Sequence, residues 1–241
     1  MTNLRSIGLS LAAIGVAGAI IVAGGRPTEA VAADADHPVV IELFQSQGCS
    51  SCPPANANLN ALAARPDVLA LSFAVTYWDR LGWKDTFADP AFTARQWDYS
   101  KAGGRTNVST PQMIVNGHGV LVGGRRDQID QFIKRYDRGV SGPAIAVAGN
   151  QVAIGKAATA RPATVWLVRY DPRVHNVPIR AGENGGRTLP HRNIVRGLQP
   201  LGTWTGAVKS FHIPLSPNPA YRSAVFVQQG RGGPIIAARR I

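Results

Sequence analysis

Cys49 and Cys52 stand three apart in Cys49-Ser50-Ser51-Cys52 and are the chain's only cysteines. A strand-like run, Val39 to Phe44, closes before them, and a helical pattern opens behind them at Pro53. Cys49 therefore falls ahead of a helix N-terminus, where unpaired N–H groups and the macrodipole favour a thiolate. A thiolate attacks disulfides, and a second cysteine one turn on can resolve the mixed disulfide. Other uses of close cysteines fit less well. A structural staple over so short a loop restricts the unfolded chain little. A zinc site needs four ligands, and the five histidines offer no second closely spaced pair. Haem attachment needs His after the second Cys, where Pro53 stands. A redox-active dithiol is the favoured reading, with an inert disulfide and a metal site as alternatives.

The elements that must position this pair alternate along residues 34–139. After the first strand comes a helix from Pro53 to Ala64, with Leu59 and Leu62 on one face. Val68 to Tyr77 is a second apolar strand. Asp89-Pro90 supplies an N-cap and a first-turn proline for a helix reaching about Lys101. Gln112–Asn116 and Val120–Val122 flank a Gly-rich turn and form a hairpin. Ile129, Phe132, Ile133 and Tyr136 then mark an amphipathic helix. The order is β-α-β-α-β-β-α. Strands joined through a helix run parallel, and the hairpin is antiparallel.

That order, the dithiol at a helix start and Thr110-Pro111 before the third strand resemble the thioredoxin fold. More narrowly, the run from Glu42 through Cys49, Cys52, Pro53 and Pro54 to Ala55 resembles a family of secreted bacterial thioredoxin-like proteins catalogued as a domain of unknown function. Tyr77-Trp78-Asp79, the Leu81 to Asp85 run with Trp83 in it, Thr110 to Met113, Gly182 to Leu189 and Asn193 to Arg196 resemble it too. The resemblance implies an α/β fold, a thioredoxin-like domain with a central mixed sheet flanked by helices, and a cis Pro111 facing the dithiol. It implies no established reaction, no metal and no cofactor.

On that fold Tyr77, Trp78, Asp79 and Trp83 are expected at the sheet edge that carries Cys49. Together with Thr110 and Pro111 they would bind a substrate strand, although core packing accounts for the aromatics equally well. Glu42, a carboxylate on an apolar strand, resembles the acid buried beneath such dithiols and is a candidate to shuttle the Cys52 proton, with an exposed strand-edge position as the alternative. Gly48 stands where an aromatic is usual, and Ser50-Ser51 replaces Gly-Pro between the cysteines. His118, in the hairpin turn, is a candidate copper ligand beside Cys49 and Cys52, with plain solvent exposure as the alternative.

Charge divides the chain. Residues 34–139 carry 11 basic and 11 acidic residues, whereas 140–241 carry 13 basic residues against only Asp171 and Glu183. With Gly139 to Pro143 reading as a linker, this predicts a second domain over 140–241. Its short strand runs, broken by Gly, Pro and Asn, predict a small antiparallel β-sandwich. Its arginines suit an anionic envelope partner or serve solubility alone, and Glu183 is expected to pair with one of them. No nucleic-acid motif is present. At the N-terminus, Arg5, the uncharged run Ile7 to Gly25 and the small residues Ala30 to Ala33 read as an export signal over 1–33, with an uncleaved anchor as the alternative. The expected function is thiol–disulfide exchange with protein thiols or disulfides outside the cytoplasm. A non-catalytic binding protein and a copper carrier are the alternatives.

Overall fold

The computed structural model describes residues 1–2 and 31–241. The export-signal reading rests almost wholly on residues outside that range. Among the described residues no helix is long and apolar enough to cross a membrane.

Val39–Gln45 (β1) and Val68–Ala74 (β2) are buried along their whole length. They pair in parallel, Val39 opposite Val68 through Gln45 opposite Ala74, as suits apolar runs covered on both faces. Pro53–Leu62 (α1) connects them and takes prolines in its first turn, where the missing N–H groups would lack partners anyway. Pro90–Ala102 (α2) is capped by Asp89, whose carboxylate accepts the Ala91 N–H at 2.7 Å. Gln112–Val115 (β3) returns antiparallel on β1 and turns into Gly119–Leu121 (β4). Arg126–Tyr136 (α3) buries Ile129 and Ile133.

The second half overturns the expected architecture. Ala163–Asp171 (β7), Ile194–Trp204 (β10), Arg222–Gln229 (β12) and Ile235–Arg240 (β13) do not build a separate sandwich. They extend the first sheet into one of eight strands, ordered β13-β12-β7-β10-β2-β1-β3-β4. The seam lies where Ile194 pairs in parallel with Ser72, and the Ser72 N–H donates to the Asn193 carbonyl at 3.0 Å. An apolar strand such as β2 has backbone groups on both edges to satisfy, and β10 satisfies the outer one. The fold is therefore mostly β. A helix-flanked thioredoxin-like domain followed by a small sandwich does not describe it.

Ile145–Ala148 (β5), Gln151–Ile154 (β6) and Lys209–His212 (β11) form a three-stranded sheet, and His175–Pro178 (β8) pairs with Thr188–His191 (β9). The three-stranded sheet covers Val165, Leu167, Val225 and Val227, with Trp204 fully buried between. At the other end of the large sheet, α1 and α3 pack on Ile41, Leu43 and Met113. The opposite face holds α2, whose Phe92 and Tyr99 join Phe44, Phe73 and Phe226.

The large sheet curls until its ends meet, and Ile235 donates its N–H to the Asn116 carbonyl at 2.9 Å. Gly117, at φ 73°, sits there against the Gly233 carbonyl, where a Cβ would collide. Sequence patterning limits β10 to its first residues, because Gly197, Pro200 and Gly202 read as breakers. Register shifts between Val195 and Gly197 and between Pro200 and Gly202 absorb them as bulges.

Because β2, α2 and β12 share one core, a chain ending at Gly139 should lack a cooperative thermal transition and bind an apolar dye. A sharp melt of that fragment, followed by near-ultraviolet circular dichroism, would contradict the shared core.

Candidate functional site

Cys49 lies in the loop after β1 and Cys52 is the residue before α1, and the two form a disulfide with Cα atoms 5.4 Å apart. Tight turns shape the loop: the Cys49 N–H donates to the Ser46 carbonyl and the Cys52 N–H to the Cys49 carbonyl, both at 3.1 Å. The Ser51 hydroxyl stands 3.3 Å from the Cys49 Sγ. The disulfide is enclosed, with Cys49 0% and Cys52 2% exposed, while Ser50 and Ser51 face solvent.

The parallel register of β1 and β2 carries the segment after β2 to this end of the sheet, and antiparallel β3 begins there. The Gly48 backbone faces the Trp78 Cβ. Trp78 donates its indole N–H to the Thr110 hydroxyl at 2.7 Å, and Trp83 donates its own to Gln47 Oε1 at 2.9 Å. The Ser51 hydroxyl approaches the Thr110 carbonyl at 3.5 Å, and the Thr110–Pro111 peptide bond is cis. Asp79 accepts the Asp85 N–H at 3.1 Å. Tyr77, Trp78, Asp79, Trp83, Thr110 and Pro111 thus gather where Cys49 and Cys52 lie.

Glu42 does not join them. It points to the α2 face, fully buried, in an ion pair with Arg95 (Nε to Oε1, 2.5 Å; Nη2 to Oε2, 3.1 Å) and a hydrogen bond from the Tyr99 hydroxyl. The flanking carboxylate raises the Arg95 guanidinium further, against the opposing pull of burial. Among the described residues no hydrogen bond links Glu42 to either cysteine.

His118 does not join them either. Val115 pairs with Ile41, near the start of β1, so the following turn lies at the end of that strand remote from the disulfide, roughly 20 Å of chain away. His118 stacks on Tyr136 there, with ring centroids 5.7 Å apart. Among the described residues no group of three or more His, Cys, Asp or Glu is arranged to hold a metal.

Several contributors went unassigned in the sequence. Asn184, fully buried in the β8–β9 connection, donates its amide to the carbonyls of Gln47 and Cys49, each at 2.8 Å. Glu183, instead of pairing with an arginine, accepts the Ser50 N–H at 3.0 Å and the Ser50 hydroxyl at 2.6 Å. Asn56 and Asn60 of α1 hold the same hairpin by donating to the Pro190 carbonyl at 2.7 and 2.9 Å. Buried Asp85 accepts the N–H groups of Gln47 and Phe87 at 2.7 and 2.8 Å, and burial pushes its carboxyl up to about 6. The one available signal was Glu183, one of two acids in a basic half.

That basic half is largely committed to structure. Arg173, Arg192, Arg222 and Arg240 line a cleft of about 200 Å³. Arg240 donates to the carbonyls of Pro66 and Val68, Arg192 to that of Pro172, and Arg173 to Asp171.

Fold and site define a curled mixed-sheet protein with one C-x-x-C disulfide at a strand–helix junction, clasped by a distant hairpin. Residues 40–228 match the family described as protein of unknown function (DUF1223), and the chain belongs to that family. A crystal structure from Agrobacterium tumefaciens is similar at 31% identity and a TM-score of 0.72, covering 87% of this chain and 94% of that one. HBP35 of Porphyromonas gingivalis resembles it in fold alone, at 13% identity and a TM-score of 0.57, covering 86% of this chain and 75% of that one. No curated protein sequence matches the chain.

Two variants check these placements. Glu42→Gln strands the Arg95 charge in the core and should cost about 3–5 kcal/mol in urea unfolding. It should leave the dithiol–glutathione equilibrium unmoved. For Asp85, a folded-state value near 6 against 3.8 unfolded means that the fold holds the proton more tightly. Stability should then fall as pH rises between those values, by up to about 3 kcal/mol, and level off above. Asp85→Asn should lack that decline, measured as the difference between the two unfolding free energies at each pH.

Proposed function

We propose that the protein is a thiol–disulfide exchange catalyst acting on protein thiols or disulfides outside the cytoplasm, through Cys49 and Cys52. The observation that carries this reading is the placing of Cys49: ahead of the α1 N-terminus and beside the Ser51 hydroxyl, which in turn approaches the Thr110 carbonyl. A helix N-terminus favours the thiolate over the thiol. Acting as a reductant, the Cys49 thiolate attacks one sulfur of a substrate disulfide, and the other leaves as a thiolate that takes a proton. The Cys52 thiolate then attacks Cys49, releasing the second substrate sulfur and closing the internal disulfide. Two electrons pass to the substrate, and the reverse sequence oxidises a substrate dithiol. The half-buried rim of Trp78 and Thr110 offers an apolar contact and a carbonyl acceptor to an extended segment. The export-signal pattern is consistent with such substrates.

Burial supports a second reading. With Cys49 and Cys52 0% and 2% exposed and the loop pinned by Asn184, the disulfide suits a static brace in a non-catalytic binding protein. Exchange requires the Ser50–Ser51 segment to lift away from Glu183.

Equilibration of the full chain with glutathione, followed by trapping of free thiols, separates the two. Exchange catalysis expects a reduction potential between about −120 and −270 mV and complete loss of turnover in Cys49→Ser. A potential below about −300 mV assigns the brace.

A further inference from the structure

We propose that Glu183 is a positioning residue that holds the reduction potential of the Cys49–Cys52 pair down, by placing an unneutralised carboxylate beside the nucleophile's loop. The inference deepens the exchange reading and rests on it.

Glu183 is exposed, yet its carboxylate is fixed. Oε2 accepts both donors of Ser50, the residue bonded to Cys49, at 3.0 and 2.6 Å. These hydrogen bonds hold the carboxyl below its ordinary value, so it is ionised at neutral pH. Its neighbour Asn184 is fully buried and bonded to the Gln47 and Cys49 carbonyls, so the carboxylate's backbone cannot drift from the loop. Gly182, at φ 73°, permits the turn at that point, packing against the Trp83 Cβ. The nearby Arg187 donates to Asn184 Oδ1 at 2.7 Å, and no ion pair neutralises Glu183 among the described residues. Arg187 therefore stiffens the clasp without cancelling its charge.

The redox consequence follows from which state carries charge at sulfur. Reduction breaks the S–S bond and adds two electrons. Two protons are taken up at low pH, and only one once the pH exceeds the Cys49 thiol's pKa. The disulfide presents no ion to Glu183, but the Cys49 thiolate is a like charge. Glu183 thus opposes the α1 N-terminus. It raises the free energy of the reduced thiolate state and leaves the oxidised state alone, favouring the disulfide. Ser50 strengthens the effect, because its N–H and hydroxyl face the carboxylate and do not solvate the sulfur.

The test uses the full chain. Glu183→Gln retains acceptors for Ser50 and removes the charge. The Cys49 pKa is read from the pH dependence of alkylation, and the equilibrium with glutathione is read at a pH above it. The variant should lower the thiol pKa by about one unit. It should shift the equilibrium toward the dithiol by about tenfold, equivalent to ~30 mV. Added salt should move the wild type toward the variant, since exposed charges are screened. Equal pKa values and potentials, or a change seen only in Glu183→Ala, would show that Glu183 acts through hydrogen bonding alone and overturn the inference. A wild-type potential below about −300 mV overturns the exchange reading instead. The comparison is then made against dithiothreitol, where a tenfold difference still supports the role of Glu183 and equality overturns it.

Discussion

A buried guanidinium organises this fold. Arg95 of α2 is 5% exposed and lies inside the curl of the large sheet. It pairs with Glu42 of β1, donates to Tyr99 and to Gln228 of β12, and sits 5.0 to 6.0 Å from the ring centres of Phe73, Tyr99, Trp166 and Phe226. Placing an ion in an apolar interior costs several kcal/mol unless partners compensate it closely. Only a curled sheet that brings β1 and β12 to the same helix assembles all of them. The pair constrains which strands approach α2 more than it adds to net stability.

The same closure places the cysteines. The loop after β1 has its turns fixed locally, but the surfaces around it come from the segment after β2, the start of β3 and the β8–β9 connection. Gln47 links two of these: its backbone N–H meets Asp85 and its side chain meets Trp83, both in the segment after β2, while its carbonyl meets Asn184 of the β8–β9 connection. The pair can therefore be short and simple in sequence while its environment is set by residues from well over half the chain.

The sequence was legible where one element satisfied one rule. The α3 heptad spacing, the Asp89 cap and the apolar runs of β1 and β2 each announced themselves through periodicity or a capping residue. Glu42 was marked as unusual by its type, but its partner is 53 residues away and no local pattern predicts an arginine there. The charge break at Gly139 misled for a related reason: surface charge governs solvation, whereas strand edges govern pairing, and β2 needed a partner whatever its charge. Bulges hid β10, since Pro and Gly within a strand look like its end. Glu183 stood out by scarcity, yet its partner is the N–H and hydroxyl of Ser50, 133 residues away, and no local pattern joins the two.

The clasp on the disulfide has a kinetic meaning. Cys49 and Cys52 are three residues apart and can meet in an unordered chain, whereas Asn184 must close a span of 135 residues to reach the Cys49 carbonyl. Contacts of such long separation pay their loop entropy late in folding. On an emerging chain the sulfurs can join long before the walls around them exist. The pair then lives in two successive environments: first an open, solvent-washed loop, available to any passing thiol, and afterwards the enclosed loop of the finished fold. Arrival of the β8–β9 connection is what separates the two.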